Sequence, residues 1–230
     1  MRFLWLFWRT LKTLVVPVNC VGCGRSDVVL CAACRSLSHG RVHTAYFEDD
    51  LGIPLCPQWS LGKYEGKWRT IILAAKHDPK VDLSPLLHEA GRTLGAKCAE
   101  WVRPLRRKLW VVPAPASVER QRQGAQVVIH VAAGIVAELQ KRRILAQIAP
   151  VVDWVTKRGI TRIRGQSGRS HQQRIQGRLG TMKLVQQPDS DTLAILVDDV
   201  STTGATLREM VRIFPNPIVG VALLACVAEI

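Results

Sequence analysis

Leu193-Ala194-Ile195-Leu196-Val197-Asp198-Asp199-Val200-Ser201-Thr202-Thr203-Gly204-Ala205-Thr206-Leu207 is the stretch on which the reading of the chain turns. The apolar run Leu193 to Val197 predicts a strand buried on both faces, as in a parallel sheet. Two adjacent carboxylates end it, and a hydroxyl- and glycine-rich turn opens into a helix expected over Ala205 to Phe214. Backbone N–H groups at such a turn and helix start collect a phosphate. The candidate cradle is Val200, Ser201, Thr202, Thr203, Gly204, Ala205 and Thr206. Gly204 lets the backbone approach an anion with no Cβ in the way. Asp198 and Asp199 can accept hydrogen bonds from two vicinal sugar hydroxyls or help hold Mg²⁺. Taken alone, the pattern DD-x-x-T-T-G also fits a strand end with an Asp cap and an ordinary turn.

Outward from this stretch, strand and helix signals alternate. Leu109-Trp110-Val111-Val112 is a second buried-strand candidate, ending in the rigid loop Pro113-Ala114-Pro115-Ala116. Such a loop at a strand's carboxyl end is where an open α/β sheet builds ligand sites. Arg120, Arg122 and Gly124 follow, before a helix expected over Ala125 to Lys141. Ile148 to Trp154 reads as a third strand and Pro217 to Ala225 as the last. Helices are expected over Gly66 to Ala75 and from Ser84, as N-cap with Pro85 at the first helical position, to about Trp101. Leu61 to Tyr64 reads as a short strand. The sum is an α/β fold with a mainly parallel sheet flanked by helices.

The N-terminal part differs. Cys20-x-x-Cys23 and Cys31-x-x-Cys34 bring four thiolates together across a seven-residue connector, a spacing for tetrahedral Zn²⁺ in a compact knuckle. Gly22 and Gly24 ease the turn. Separate free thiols or one redox-active pair are the other readings, and His39 and His43 are stand-in ligands. Four Cys ligands leave no open position, so a metal there is structural. Seven cysteines in all suit a reducing compartment better than a disulfide framework. Residues 36–60 read as a linker with short strands, Glu48-Asp49-Asp50 as a solvated turn, and Cys56 as a small packed group. The expected division is residues 1–60 as the amphipathic and metal-binding module and 61–230 as the main domain.

Charge points to acidic ligands. The 230 residues carry 32 Lys and Arg against 18 Asp and Glu, a net charge of +14. Residues 157–183 hold eight of the basic residues and no acid. The opening MRFLWLFWRTLKTLVVPV is interrupted by Arg9 and Lys12 and lacks a small-x-small cleavage site, so it does not read as a signal peptide. It is also too short to span a bilayer. Residues 3–15 are expected to form an amphipathic helix packed on a domain or partner, with membrane-surface contact the lesser option. The expected location is the cytoplasm, with peripheral membrane association as the variant.

Val197–Thr206 closely resembles the phosphoribosyl-pyrophosphate (PRPP) motif of type I phosphoribosyltransferases. The resemblance implies that Asp198 and Asp199 bind the ribose hydroxyls at the catalytic centre and that Ser201 to Thr206 cradle the 5′-phosphate. The order of the cysteine quartet, Lys76, Val112–Pro115, the Arg-rich segment and the terminal motif resembles, over nearly the whole chain, the ComF family of competence and DNA-uptake proteins. It implies that the loop with Pro113, Ala114 and Pro115 faces the pyrophosphate, whose oxygens Arg120, Arg122 or an Arg of residues 157–178 could clamp with paired donors. A covering lid would carry Arg162, Arg164, Gln166, Arg169 and Arg174. The implied ligands are PRPP with Mg²⁺ and a structural Zn²⁺, and the implied reaction is transfer of phosphoribose to a nitrogen nucleophile. This chain departs from the family pattern at Gln123-Gly124-Ala125-Gln126 and at Gly177, in accessory contacts, which favours PRPP binding over turnover. An N-terminal Cys nucleophile, which a glutaminase would need, is absent from Met1-Arg2-Phe3. The alternative is a non-catalytic adaptor of DNA-uptake or repair machinery, with PRPP as a regulatory ligand and single-stranded DNA on the basic segment. That segment has no aromatic residue to stack on bases, so its DNA contacts would be to phosphates and salt-dependent.

Overall fold

The computed structural model describes residues 18–116, 126–155 and 180–227. Eight strands form there: β1 His43–Glu48, β2 Pro54–Ser60, β3 Leu109–Pro113, β4 Ala146–Ile148, β5 Val152–Trp154, β6 Met182–Leu184, β7 Leu193–Ser201 and β8 Ile218–Cys226. The α-helices are α1 Ala32–Arg35, α2 Gly66–His77, α3 Ser84–Val102, α4 Val127–Lys141 and α5 Ala205–Ile213. Six strands make one sheet in the order β1-β2-β8-β7-β3-β4, parallel except for the antiparallel β1–β2 hairpin at one edge. The other two, β5 and β6, pair as a separate antiparallel ribbon.

Both faces of the sheet are covered, and the central strands are apolar throughout for that reason. Alternate residues divide by face. Leu109, Val111, Ile195, Val197, Ala222 and Leu224 pack with α2, α3 and α4. Trp110, Val112, Ala194, Leu196, Val221 and Leu223 pack with Leu207 and Met210 of α5, with Met182 of the ribbon and with Phe47 and Cys56 of the hairpin. Cys20, Cys31 and Cys34 join the first of these cores. Strand pairing crosses the expected domain break at residue 60, because β2 lies parallel beside β8.

Local differences from expectation have identifiable causes. The span Ile148 to Trp154 is two strands in two sheets. Pro150 has no N–H to continue a ladder, so β4 ends beside β3 and the chain restarts as β5 in the ribbon. Leu61 to Tyr64 is not a strand: β2 stops at Ser60, and Lys63 makes a single bridge to Cys226. Ser84 is the first residue of α3 rather than its cap, and Asp82 Oδ1 accepts both its N–H at 2.9 Å and its hydroxyl at 2.6 Å. The strand β6, too short for a periodic signal, was not expected. Of the triplet Glu48-Asp49-Asp50, Glu48 ends β1 and the turn forms after it, with Asp49 Oδ1 accepting the N–H groups of Leu51 and Ile53, each at 2.8 Å. Among the described residues no helix is long and apolar enough to cross a membrane.

Candidate functional site

The sheet order fixes where a ligand can enter. From β3 the chain moves outward to β4, and the later strand β7 lies on the other side of β3. The connections leaving β3 and β7 therefore part in opposite directions, opening a crevice at their carboxyl ends. A cavity of about 220 Å³ sits there, lined by Tyr64, Lys76, Ala114, Pro115, Ala116, Val127, Val128, Trp154, Asp198, Asp199, Val200, Thr202 and Thr206. The two segments singled out in the sequence thus face each other across one space.

Strand β7 is longer than its apolar run: it carries Asp198 and Asp199 inside the sheet and ends at Ser201. Both aspartates are nearly buried yet border the cavity. Asp198 Oδ1 accepts the Asp199 N–H at 2.8 Å. Asp199 Oδ2 lies 2.7 Å from Lys76 Nζ at the end of α2. A buried carboxylate without a cationic or hydrogen-bonding partner is costly, and Lys76 meets that need. After Ser201 the chain turns through Thr202 and Thr203 to Gly204, whose φ of +69° is left-handed and suits glycine. Thr203 Oγ1 is 3.4 Å from the Ala205 N–H. Helix α5 then begins with no acidic residue in its first turn, so its N-terminal dipole is not offset there.

Opposite, the Ala114 N–H donates to Val197 O at 2.8 Å and locks the start of the Pro113–Ala116 loop onto β7. The end of that described loop is held by the Trp154 indole, whose Nε1–H donates to Ala116 O at 3.0 Å. Trp154 was expected only as part of a strand. Its site role follows from the ribbon, since β5 ends with Trp154 at the cavity wall, where the Val155 N–H donates to Thr181 O at 2.8 Å and ties that end to the start of β6. Tyr64 also lines the cavity without a sequence signal, and its N–H is fixed by Cys226 O at 2.8 Å. Arg120, Arg122, Arg162, Arg164, Gln166, Arg169 and Arg174 lie outside the described residues, as does the 3–15 segment.

The second site is the cysteine quartet. The Sγ atoms of Cys20, Cys23, Cys31 and Cys34 lie within 4.8 Å of one another, and Cys23 is the exposed member. A tetrahedral Zn²⁺ with bonds of about 2.3 Å sets its sulfurs roughly 3.8 Å apart; the Cys23–Cys31 separation is 3.6 Å. The four cysteines are therefore compatible with a structural zinc site. Burial pushes the Cys20 thiol up, but the N–H groups of Cys31, Gly22 and Cys23 and the Cys34 side chain outweigh it and bring it down to about 6. Cys34 is pushed the other way, by burial and by its neighbouring thiols. Cys31 is also brought down, chiefly by the Cys34 N–H, and thiols that share donors in this way suit a metal ligand set. Among the described residues no other group of three or more such side chains converges in this way, and His39 and His43 stand outside the quartet.

No family model matches the chain, and no curated protein matches it.

Proposed function

We propose that the chain is a phosphoribosyltransferase-like protein of the ComF kind that binds PRPP with Mg²⁺ in the crevice between β3 and β7. The observation that carries this reading is the cavity itself, with Asp198, Asp199, Thr202 and Thr206 on one side and Ala114, Pro115 and Ala116 on the other. Paired carboxylates suit vicinal hydroxyls, and the turn and helix start beside them suit a phosphate. In this reading Lys76 shares Asp199 with the sugar and brings a positive charge toward the pyrophosphate.

The reaction that fits is displacement of pyrophosphate from C1 of the ribose by a nitrogen nucleophile. A C–N bond forms, the C–O bond to pyrophosphate breaks with its electron pair, and the nitrogen gives up a proton. The bound Mg²⁺ would neutralise pyrophosphate oxygens. The chain's own share is positioning: Asp198 and Asp199 orient the sugar, the turn Val200–Thr206 anchors the 5′-phosphate, and Trp154 and Tyr64 wall the space against water. The quartet of cysteines holds Zn²⁺ as a structural ion that joins residues 20–34 to the core. The single-stranded DNA reading rests on the charge of residues 157–183 alone and gains nothing from the cavity.

Calorimetry of the full chain with PRPP and Mg²⁺ is the test. Heat of binding is expected for the wild type and loss of it for Asp198→Asn with Asp199→Asn. A wild type that takes up no PRPP at millimolar concentration would sink the reading.

A further inference from the structure

We propose that Arg208 is a positioning residue for the phosphate-binding turn, held there by Asp50 and Phe47 of the β1–β2 hairpin. The inference rests on the reading of that turn as a phosphate cradle. Arg208 stands four residues after Gly204, and its N–H closes the first helical bond of α5 onto Gly204 O at 2.9 Å. Long helical side chains lean back toward the N-terminus, so the guanidinium returns over the turn. There its Nη1 donates to Thr203 O at 2.5 Å.

That bond has a consequence for the peptide it grips. In a trans peptide the C=O and the following N–H point to opposite sides. Drawing Thr203 O toward Arg208 turns the Gly204 N–H away from it. Arg208, Phe47 and Asp50 all stand outside the cavity, whereas Thr202 and Thr206 line it. Thr203 and Gly204 do not themselves line the cavity, but Thr202 and Thr206 on either side of this peptide do, and the proposal assigns the donor so turned to an anion held between them. Space is close on the Arg208 side: a Cβ at Gly204 would lie 3.1 Å from Arg208 Nη1 and 3.4 Å from Phe47 Cε2.

The hairpin supplies the other half. Arg208 Nε lies 3.1 Å from Asp50 Oδ1, an ion pair without hydrogen-bond alignment. The guanidinium carbon sits 5.9 Å from the Phe47 ring centroid, within cation–π range. Asp50 is 66% exposed, so its pull is screened by water and is the smaller part. The charge-assisted bond to Thr203 is the larger. The edge hairpin, distant in sequence, thus supports the turn from outside the cavity.

The full chain is titrated calorimetrically with ribose 5-phosphate and with PRPP plus Mg²⁺, alongside thermal unfolding. Arg208→Ala is expected to weaken both ligands about tenfold. Arg208→Lys should fall between, because one ammonium cannot reproduce the fork. Asp50→Asn should cost about twofold. Arg212→Ala, on the same helix but paired with Glu209, should lower the unfolding temperature and leave affinity unchanged. If Arg208→Ala does not fold, Arg208→Lys and Asp50→Asn carry the comparison. Wild-type affinity in the Arg208 variants, or an equal loss in Arg212→Ala, would overturn the inference while leaving the PRPP reading intact. A wild type that binds neither ligand removes both.

Discussion

Lys76 Nζ lies 2.7 Å from Asp199 Oδ2, joining the last turn of α2 to the carboxyl end of β7. Their side chains are only 16% and 7% exposed, so water screens the pair little. The ammonium also sits at a helix C-terminus, where the macrodipole favours positive charge. One contact thus both neutralises a nearly buried carboxylate and fixes the wall of the candidate site.

Lys76→Met should destabilise the fold by about 2 kcal/mol, below the cost for fully buried pairs because Lys76 keeps some solvent contact. Adding Asp199→Asn should recover part of that loss, since no charge is then left unpaired. Chemical denaturation of the two single variants and the double variant measures the coupling. Strictly additive losses would show that the pair contributes nothing.

One zinc per chain is expected by elemental analysis, and Cys20→Ser or Cys31→Ser should lose it. Protons compete with the metal at Cys34, whose thiol is pushed up, throughout the neutral range, and at Cys20 as well once pH falls toward about 6. A competition titration with a chromophoric chelator should therefore show affinity rising with pH. Metal-free protein that unfolds at the same temperature as the zinc-loaded form would contradict a structural ion.

Glu209 gives a pH dependence of known sign. Burial raises its carboxyl, but Arg212 and the Met182 N–H outweigh burial and hold it below its ordinary 4.5. Its native value is depressed, so its stabilisation is present above the ordinary value and is lost as pH falls through the lowered one. Glu209→Gln should flatten the acid limb of the stability curve and cost about 2 kcal/mol at neutral pH. Denaturation midpoints from neutral to acid pH decide it, and an unchanged acid limb would exclude the role.

Helices α3 and α4 touch backbone to backbone. A Cβ at Gly91 would meet Val131 O, and one at Gly134 would meet His88 O. Glycine to alanine inside a helix ordinarily stabilises by about 1 kcal/mol. Here carbonyl oxygens cannot step aside, and overpacking of about 1–3 kcal/mol reverses the sign. Gly91→Ala and Gly134→Ala should each lower the unfolding midpoint, and a rise in either would show that the helices can part.

The continuous apolar runs of the chain are legible in the sequence itself. Runs such as Leu109–Val112 and Leu193–Val197 can satisfy themselves only in a sheet covered on both faces, and they form its centre. The four cysteines were legible through spacing, because a CxxC turn brings its two sulfurs together whatever surrounds it. Break points were less so. Pro150 was visible in Ile148–Trp154, yet only the missing ladder partner shows that the two halves serve different sheets.

By itself the sequence determined the alternation of strands and helices, the thiol cluster and the glycine turn into α5, since each depends on neighbours within a few residues. The tertiary structure alone decided that Trp154, Tyr64 and Lys76 wall the same cavity as Asp198 and Asp199. It alone decided that Asp50 of the hairpin reaches Arg208 of α5. Those meetings depend on sheet order and on which side each connection leaves. Such long-range pairings are set by burying both faces at once, and no local pattern encodes them.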